Sequence, residues 1–250
     1  ANIVANAAVR VYTVRFLPPG TFRVEAFQNG FQKSVQLNVV VEAASNPTVN
    51  LQLTLGAASQ SITVQESVAM VETQTADRGA VVDAVRMENT PSQARNIIGL
   101  ALSTSGVVAT TAMKSFTPYD NSGSTNISIS GGQTANNEMI IDGASNRLSY
   151  NGPLYGLIPT QESVQEMRVV TTPYSAEYGR TTGGVITVVT KSGTNAFHGE
   201  LFEYNRNTAL AANQFERNLA GQPRLPVHFN TPGGAVGGPV KRNKLFFFFE

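Results

Sequence analysis

Few residues in this chain have the types and spacing for chemistry. In GGVITVVTKSG, residues 183–193, a lysine and a serine follow a glycine pair. A phosphate-cradling loop needs glycine directly before Lys-Ser/Thr and a helix after it. Here Thr190 precedes Lys191 and strand-forming residues surround it, so phosphate binding is excluded. SISGG (residues 128–132) lacks the Gly-x-Ser-x-Gly frame of a nucleophile elbow. His198 and Glu200 share one face of an extended segment, but a metal centre needs more ligands, and the other histidine, His228, falls in a loop. Asp142 in IIDG and Asp120 beside Asn121 lack the alternating acidic frame of a calcium loop and read as turn residues. A glycoside hydrolase needs clustered acids in a cleft, and carboxylates here are sparse. No catalytic residue, cofactor or metal is expected, and the chain does not read as an enzyme.

Composition bounds the elements that position these residues. The chain has 250 residues, 41% hydrophobic, enough for one or two domains with a core. Charged residues make up 14%, against roughly 25% in an average globular protein. With 22 glycines, 13 phenylalanines and no tryptophan, this favours β structure with tight turns. A net charge of +1 carries no nucleic-acid footprint. The absence of cysteine excludes disulfides, thiol catalysis and Cys–zinc sites. The first residues resemble no signal peptide, and KLFFFFE at the other end reads as a strand cut in mid-course, so both ends are expected to be truncations.

Residues 1–56 read as part of an antiparallel β-sandwich. Phe22, Val24 and Ala26 alternate with polar partners, Asn29-Gly30 is a hairpin turn, and Val35, Leu37, Val39 and Val41, then Val49, Leu51, Leu53 and Leu55, alternate again. Residues 57–90 read as a polar linker with one strand-like piece, SITVQE (61–66). A helix follows, with Thr90 as cap, Pro91 at its first position, and Ala94, Ile97, Ile98, Ala101 and Leu102 on one face. Then come two short strands ending in glycine, a second helix opening at Pro159-Thr160, and two further strands: a small mixed α/β domain over 91–195. Residues 196–250 alternate short turns with long loops, the pattern of an outer-membrane barrel, and their aromatics suit interfacial girdles. The in/out alternation is imperfect, because Phe202 and Tyr204 share a face with His198 and Glu200.

The segment SVQEMRVVTTPYSAEYGRTTGGVITVVTKSGTNAFHGELFEYNRN closely resembles the end of the plug domain of TonB-dependent outer-membrane receptors. ISISGGQTANNEMIIDGAS resembles the plug's earlier strand pair, TPSQARNIIGLALSTSGVV its first helix, and FNTPGGAVGGPVKRNKLFFFFE the second and third barrel strands. LPPGTFRVEAFQNGF looks like the end of the carboxypeptidase-regulatory-like β-sandwich that precedes the plug in the large Oar-like subgroup. TPSQARN departs from that subgroup, which more often has Leu-Pro and a glycine before the arginine.

The resemblance implies a mixed fold: a partial sandwich, an α/β plug, and the first strands of a transmembrane β-barrel. It implies gated uptake of an extracellular ligand driven by the TonB protein, and an outer-membrane location with the sandwich in the periplasm; Asn, Ser, Tyr and Gly near 113–125 and 143–158 suit a carbohydrate or a peptide as that ligand. Ligand contacts are expected in the plug loops near 113–125 and 143–158. Gly179, Gly183 and Gly184 are expected to give the plug positive φ and close backbone approach. Glu166, Arg168, Glu177 and Arg180 are candidates for locking plug to barrel wall. Ile62, Thr63 and Val64 are candidates for the energy-coupling segment, able to pair edge-on with TonB by strand addition; a plain linker strand is the equal alternative. Three strands do not close a barrel, so this stretch alone is not expected to transport. The alternative function is a non-transporting surface adhesin or binding module.

Overall fold

The computed structural model describes residues 12–14, 17–56, 61–64, 77–90, 95–109, 127–148, 154–171, 178–179 and 181–250. Two compact units emerge, Ala1–Thr190 and Lys191–Glu250.

The first unit begins with a three-stranded sheet. Strands β1 (Gly20–Ala26) and β2 (Lys33–Val41) pair antiparallel around the Asn29-Gly30 turn, where Gly30 has φ +86°. Asn38, at φ +57°, sits in a bulge opposite Arg23 that shifts the register between Phe22 and Val24. The short β3 (Ser61–Val64) joins β2 in parallel, Lys33 opposite Ser61 and Gln36 opposite Val64. The expected strand over 48–55 is a correction: only Leu55 bridges, to Phe31. The stretch keeps its alternation of half-buried and exposed residues. Alternation sets which side faces inward, but a ladder also needs a neighbouring strand at the right spacing.

The rest of this unit is built on a mixed sheet. Strand β4 (Gly79–Asp83) leads into α1 (Ala84–Asn89), and α2 (Ile97–Ala101) follows. Short strands β5 (Val107–Ala109) and β6 (Ile127–Ile129) pair with each other. Next come β7 (Glu138–Ile141), β8 (Ala144–Ser145), β9 (Arg147–Leu148) and β10 (Leu154–Tyr155), then the long β11 (Val164–Val170) and β12 (Val185–Thr190). The sheet order is β4-β11-β12-β7-β8; β11 runs antiparallel to β4 and β12, and β12 runs parallel to β7. One apolar cluster joins the sheet to the helices: Val82, Met139, Met167, Val169, Ile186 and Val188 from the strands, with Met87, Ile97, Ile98 and Leu100 above them.

Three sequence expectations change here. Residues 57–90 are not linker throughout, because β4 is an edge of the mixed sheet and Asp83 caps α1, its side chain accepting from the Arg86 N–H at 2.7 Å. Thr90 closes α1 instead of opening the next helix; Asn96 caps α2 by accepting from the Ile98 N–H at 2.9 Å. The second helix is a turn over 161–163 running straight into β11. Met167 and Val169 point into the core as alternate residues of a strand, and Val164 is buried there too.

The second unit is an antiparallel sheet, β13 (His198–Asn207), β14 (His228–Lys241) and β15 (Leu245–Phe249). A long connection carrying α3 (Phe215–Leu219) joins β13 to β14, and a tight turn with Asn243 at φ +61° joins β14 to β15. This is the expected alternation of long loop and short turn.

Candidate functional site

Close contacts and buried hydrogen bonds gather at the bend before β12. Neither Gly183 nor Gly184 has positive φ; both are there for space. A Cβ on Gly184 would run into the Ile129 side chain and lie 2.8 Å from the Val170 carbonyl. One on Gly183 would collide with the Asn137 Oδ1, and one on the facing Gly132 would lie 2.5 Å from the Gly183 Cα. Gly179 has no positive φ, and among the described residues no atom lies within 4 Å of a Cβ added there.

Asn137 ties this bend together. Buried, it donates from Nδ2 to the Ile127 carbonyl at 2.7 Å and accepts the Gly184 N–H on Oδ1 at 3.1 Å. Thr181 donates to the Asn136 carbonyl at 2.5 Å. Such pairing is what a buried polar side chain requires. At the far end of β12, Asp142 (φ +48°) accepts the Thr190 N–H at 2.9 Å and the Thr190 hydroxyl at 2.7 Å. It is a turn residue, as its sequence context suggests. Sequence reasoning missed Asn137; an asparagine between a polar turn and an apolar strand was its only signal.

Of the four charged candidates, Glu177 and Arg180 lie outside the described residues. Glu166 and Arg168 share one face of β11, turned away from the core. Glu166 accepts the Ala43 N–H, and Arg168, buried, donates to the Ala44 carbonyl at 2.9 Å. Burial pushes the Glu166 carboxyl above its ordinary value; the Ala43 N–H and Arg168 oppose this, and Glu42 and Asp83 add to it. A separate ion pair, Arg95 to Glu162 at 2.5 Å, fastens the start of α2 to the turn before β11. Ile62, Thr63 and Val64 form β3 on the edge of the first sheet.

In the second unit His198 is held by its own strand entry, its Nδ1 3.1 Å from the Ala196 carbonyl. Among the described residues no group of three His, Cys, Asp or Glu side chains could hold a metal. In Ser192-Gly193-Thr194-Asn195, Gly193 is buried, an added Cβ lying 2.6 Å from the Gly238 carbonyl, and Asn195 exchanges two hydrogen bonds with Asn243 at 2.7 and 2.8 Å. Residues opposite one another share a face. One face of this sheet therefore carries Phe197, Leu201, Val236, Phe247 and Phe249 at one end, with Leu201 93% exposed, and the polar Glu203, Asn205 and Asn230 at the other. The other carries His198, Glu200, Phe202 and Tyr204, the last two with rings stacked at 5.1 Å.

Residues 189–250 match the family described as Outer membrane beta barrel domain. The chain is 35% identical over 130 residues to the TonB-dependent transporter Oar of Myxococcus xanthus, a stretch covering 49% of this chain and 12% of that protein. Among solved structures it is similar to the siderophore receptor PirA from Acinetobacter baumannii (TM-score 0.47, 20% identity, 68% of this chain and 23% of that one). It is also similar to the outer membrane transporter YddB from Escherichia coli (TM-score 0.45, 18% identity, 64% and 24%). The chain thus spans only a small part of each relative's length. The family match and the 35% identity bear out the resemblance to TonB-dependent outer-membrane receptors and an outer-membrane location.

Proposed function

We propose that this chain is the plug-bearing part of a TonB-dependent outer-membrane receptor that gates energised uptake of an extracellular ligand. The observation that supports this best is the succession of two units: an α/β core ending at Thr190, then an antiparallel sheet with an exposed apolar stretch on one face. The second unit falls within the barrel-family match. In this reading the β1-β2-β3 sheet belongs to a carboxypeptidase-regulatory-like sandwich in the periplasm, and the mixed sheet is the plug. The glycine bend keeps the plug's strands closely packed, and no covalent chemistry is involved. Glu177 and Arg180 lock the plug to the barrel wall, since Glu166 and Arg168 bind the turn at 43–44. Residues 61–64 meet TonB by strand addition. The ligand class is a carbohydrate or a peptide, suited to the Asn, Ser and Tyr side chains near 143–158, where β8, β9 and β10 replace the expected continuous loop, and near 113–125, which lies outside the described residues. A surface adhesin is not favoured, because the relative at 35% identity is a transporter.

The test uses the full-length protein in outer membranes, with panels of fluorescent oligosaccharides and peptides. Accumulation of one class that stops without TonB, and stops on deletion of 61–64, supports the proposal. Binding with no TonB-dependent accumulation supports the adhesin instead. Plug retention unchanged by Arg180→Ala would remove the locking role.

A further inference from the structure

The turn Glu42-Ala43-Ala44-Ser45 lies at the end of β2, and its construction goes beyond what a chain reversal needs. The Ser45 N–H bonds the Glu42 carbonyl at 3.1 Å, and the Ser45 hydroxyl and the Glu42 N–H bond across it at 3.0 Å. Ala44 holds φ +50°, the left-handed backbone that glycine adopts freely and alanine resists. A conformation of that kind persists where the surroundings hold it. Here they do: Ala43 is buried, its N–H meets Glu166, and the carbonyls of Ala43 and Ala44 meet Arg168 at 3.5 and 2.9 Å. A register shift in β11 between Val164 and Glu166 re-aims the intervening Gln165, whose Nε2 reaches the Pro19 carbonyl beside β1 at 3.2 Å.

We propose that the 42–45 turn is a clasp that fastens the N-terminal sheet to β11, making the two sheets one mechanical body. Resting on the receptor reading above, its consequence is a load path. Residues 61–64 are hydrogen-bonded to β2, β2 runs into the turn, and the turn is gripped by a central strand of the mixed sheet. A pull on 61–64 reaches the mixed sheet through these hydrogen bonds as well as along the covalent chain.

These 250 residues contain no cysteine, so, with any cysteine elsewhere in the full-length protein replaced by serine, two spin labels can be placed at exposed sites, Val40→Cys in β2 and Val85→Cys in α1, in outer membranes. The parent should give one narrow distance by pulsed electron spin resonance. Arg168→Met removes the guanidinium donors. Ala43→Pro deletes the N–H that Glu166 accepts, at a turn position where proline is well tolerated, and leaves the mixed sheet untouched. At least a twofold broadening in both variants is expected. Three results overturn the clasp: a broad distance already in the parent, no broadening in either variant, or broadening in Arg168→Met alone, which would mean damage to the sheet. The distance needs no transport to be measured. A loose clasp in a working receptor sinks only this inference, and a tight clasp in a protein that transports nothing sinks only the function.

Discussion

At Gly184 a methyl group has nowhere to go: the Ile129 side chain and the Val170 carbonyl already occupy its position. Ile129 lies in the core and the carbonyl is backbone, so neither yields cheaply. Gly184→Ala is expected to destabilise the first unit by about 1–3 kcal/mol, as overpacking does, whereas Gly179→Ala should leave stability within about 0.5 kcal/mol, as at an unconstrained surface position. Denaturant midpoints of the two variants check the contrast. Tyr155 makes the opposite case. Burial, with the Glu138 charge behind it, holds its phenol proton on up to about 12, and its hydroxyl has no hydrogen-bond partner among the described residues. An unpaired buried hydroxyl costs about 1–3 kcal/mol. Tyr155→Phe keeps the ring packing, so the variant should melt higher than the parent; a lower melting point would show a bond to that hydroxyl. The glycine pair was legible in the sequence as a place of close approach, because two glycines stand directly before a bulky strand. Which groups approach was not legible, since Ile129 and Asn137 lie some fifty residues away in the chain.

Among the elements, β11 carries the most consequence per residue. One face feeds Met167 and Val169 into the core and the other holds Glu166 and Arg168. Because burial raises the Glu166 carboxyl above its ordinary 4.5, the folded state holds that proton more tightly than the unfolded chain. The stability this contributes is complete below the ordinary carboxylate value and is lost as pH rises through the folded one. The groups around it are Arg168 on its own strand, Asp83 across the sheet, and Glu42 in the facing turn. Glu166→Gln keeps an acceptor for the Ala43 N–H and removes the titration. Its denaturation midpoint, followed upward from pH 4.5, should fall less than the parent's; equal slopes would place the titration elsewhere. The sequence read β11 as half helix because Pro159-Thr160 suits a helix start and Val164 and Met167 are three apart, a spacing that fits one helical turn. What decides for a strand is β4 on one side and β12 on the other, which no local pattern announces. Similarly, Thr90 and Asn96 both suit caps, and only packing of Ile97, Ile98 and Leu100 into the core selects Asn96.

For the whole molecule, the two units bury their apolar residues in different ways. The first encloses Ile97, Ile127 and Ile186 completely, while the second leaves Leu201, Phe197 and Phe249 on an open sheet face. Its imperfect alternation in sequence resolves once the register is known. Phe202 and Tyr204 lie with His198 and Glu200 on one face, and Phe202 covers Gly233 across the strand pair, an aromatic filling the space a glycine leaves. The face opposite, apolar around Leu201, Val236, Phe247 and Phe249, is the one that would meet lipid in the proposed receptor, with His198 and Glu200 toward the lumen. A cation on the lipid face of such a barrel costs about 2–4 kcal/mol near the bilayer centre, and far less toward the interfaces or the lumen. Leu201→Arg should therefore reduce the amount of full-length protein that reaches the outer membrane as heat-resistant folded barrel, while His198→Lys on the other face should not. Cold and boiled samples compared by gel mobility read this directly. Equal folding of the two variants would mean that Leu201 does not face lipid, and the orientation of the sheet would have to be reversed.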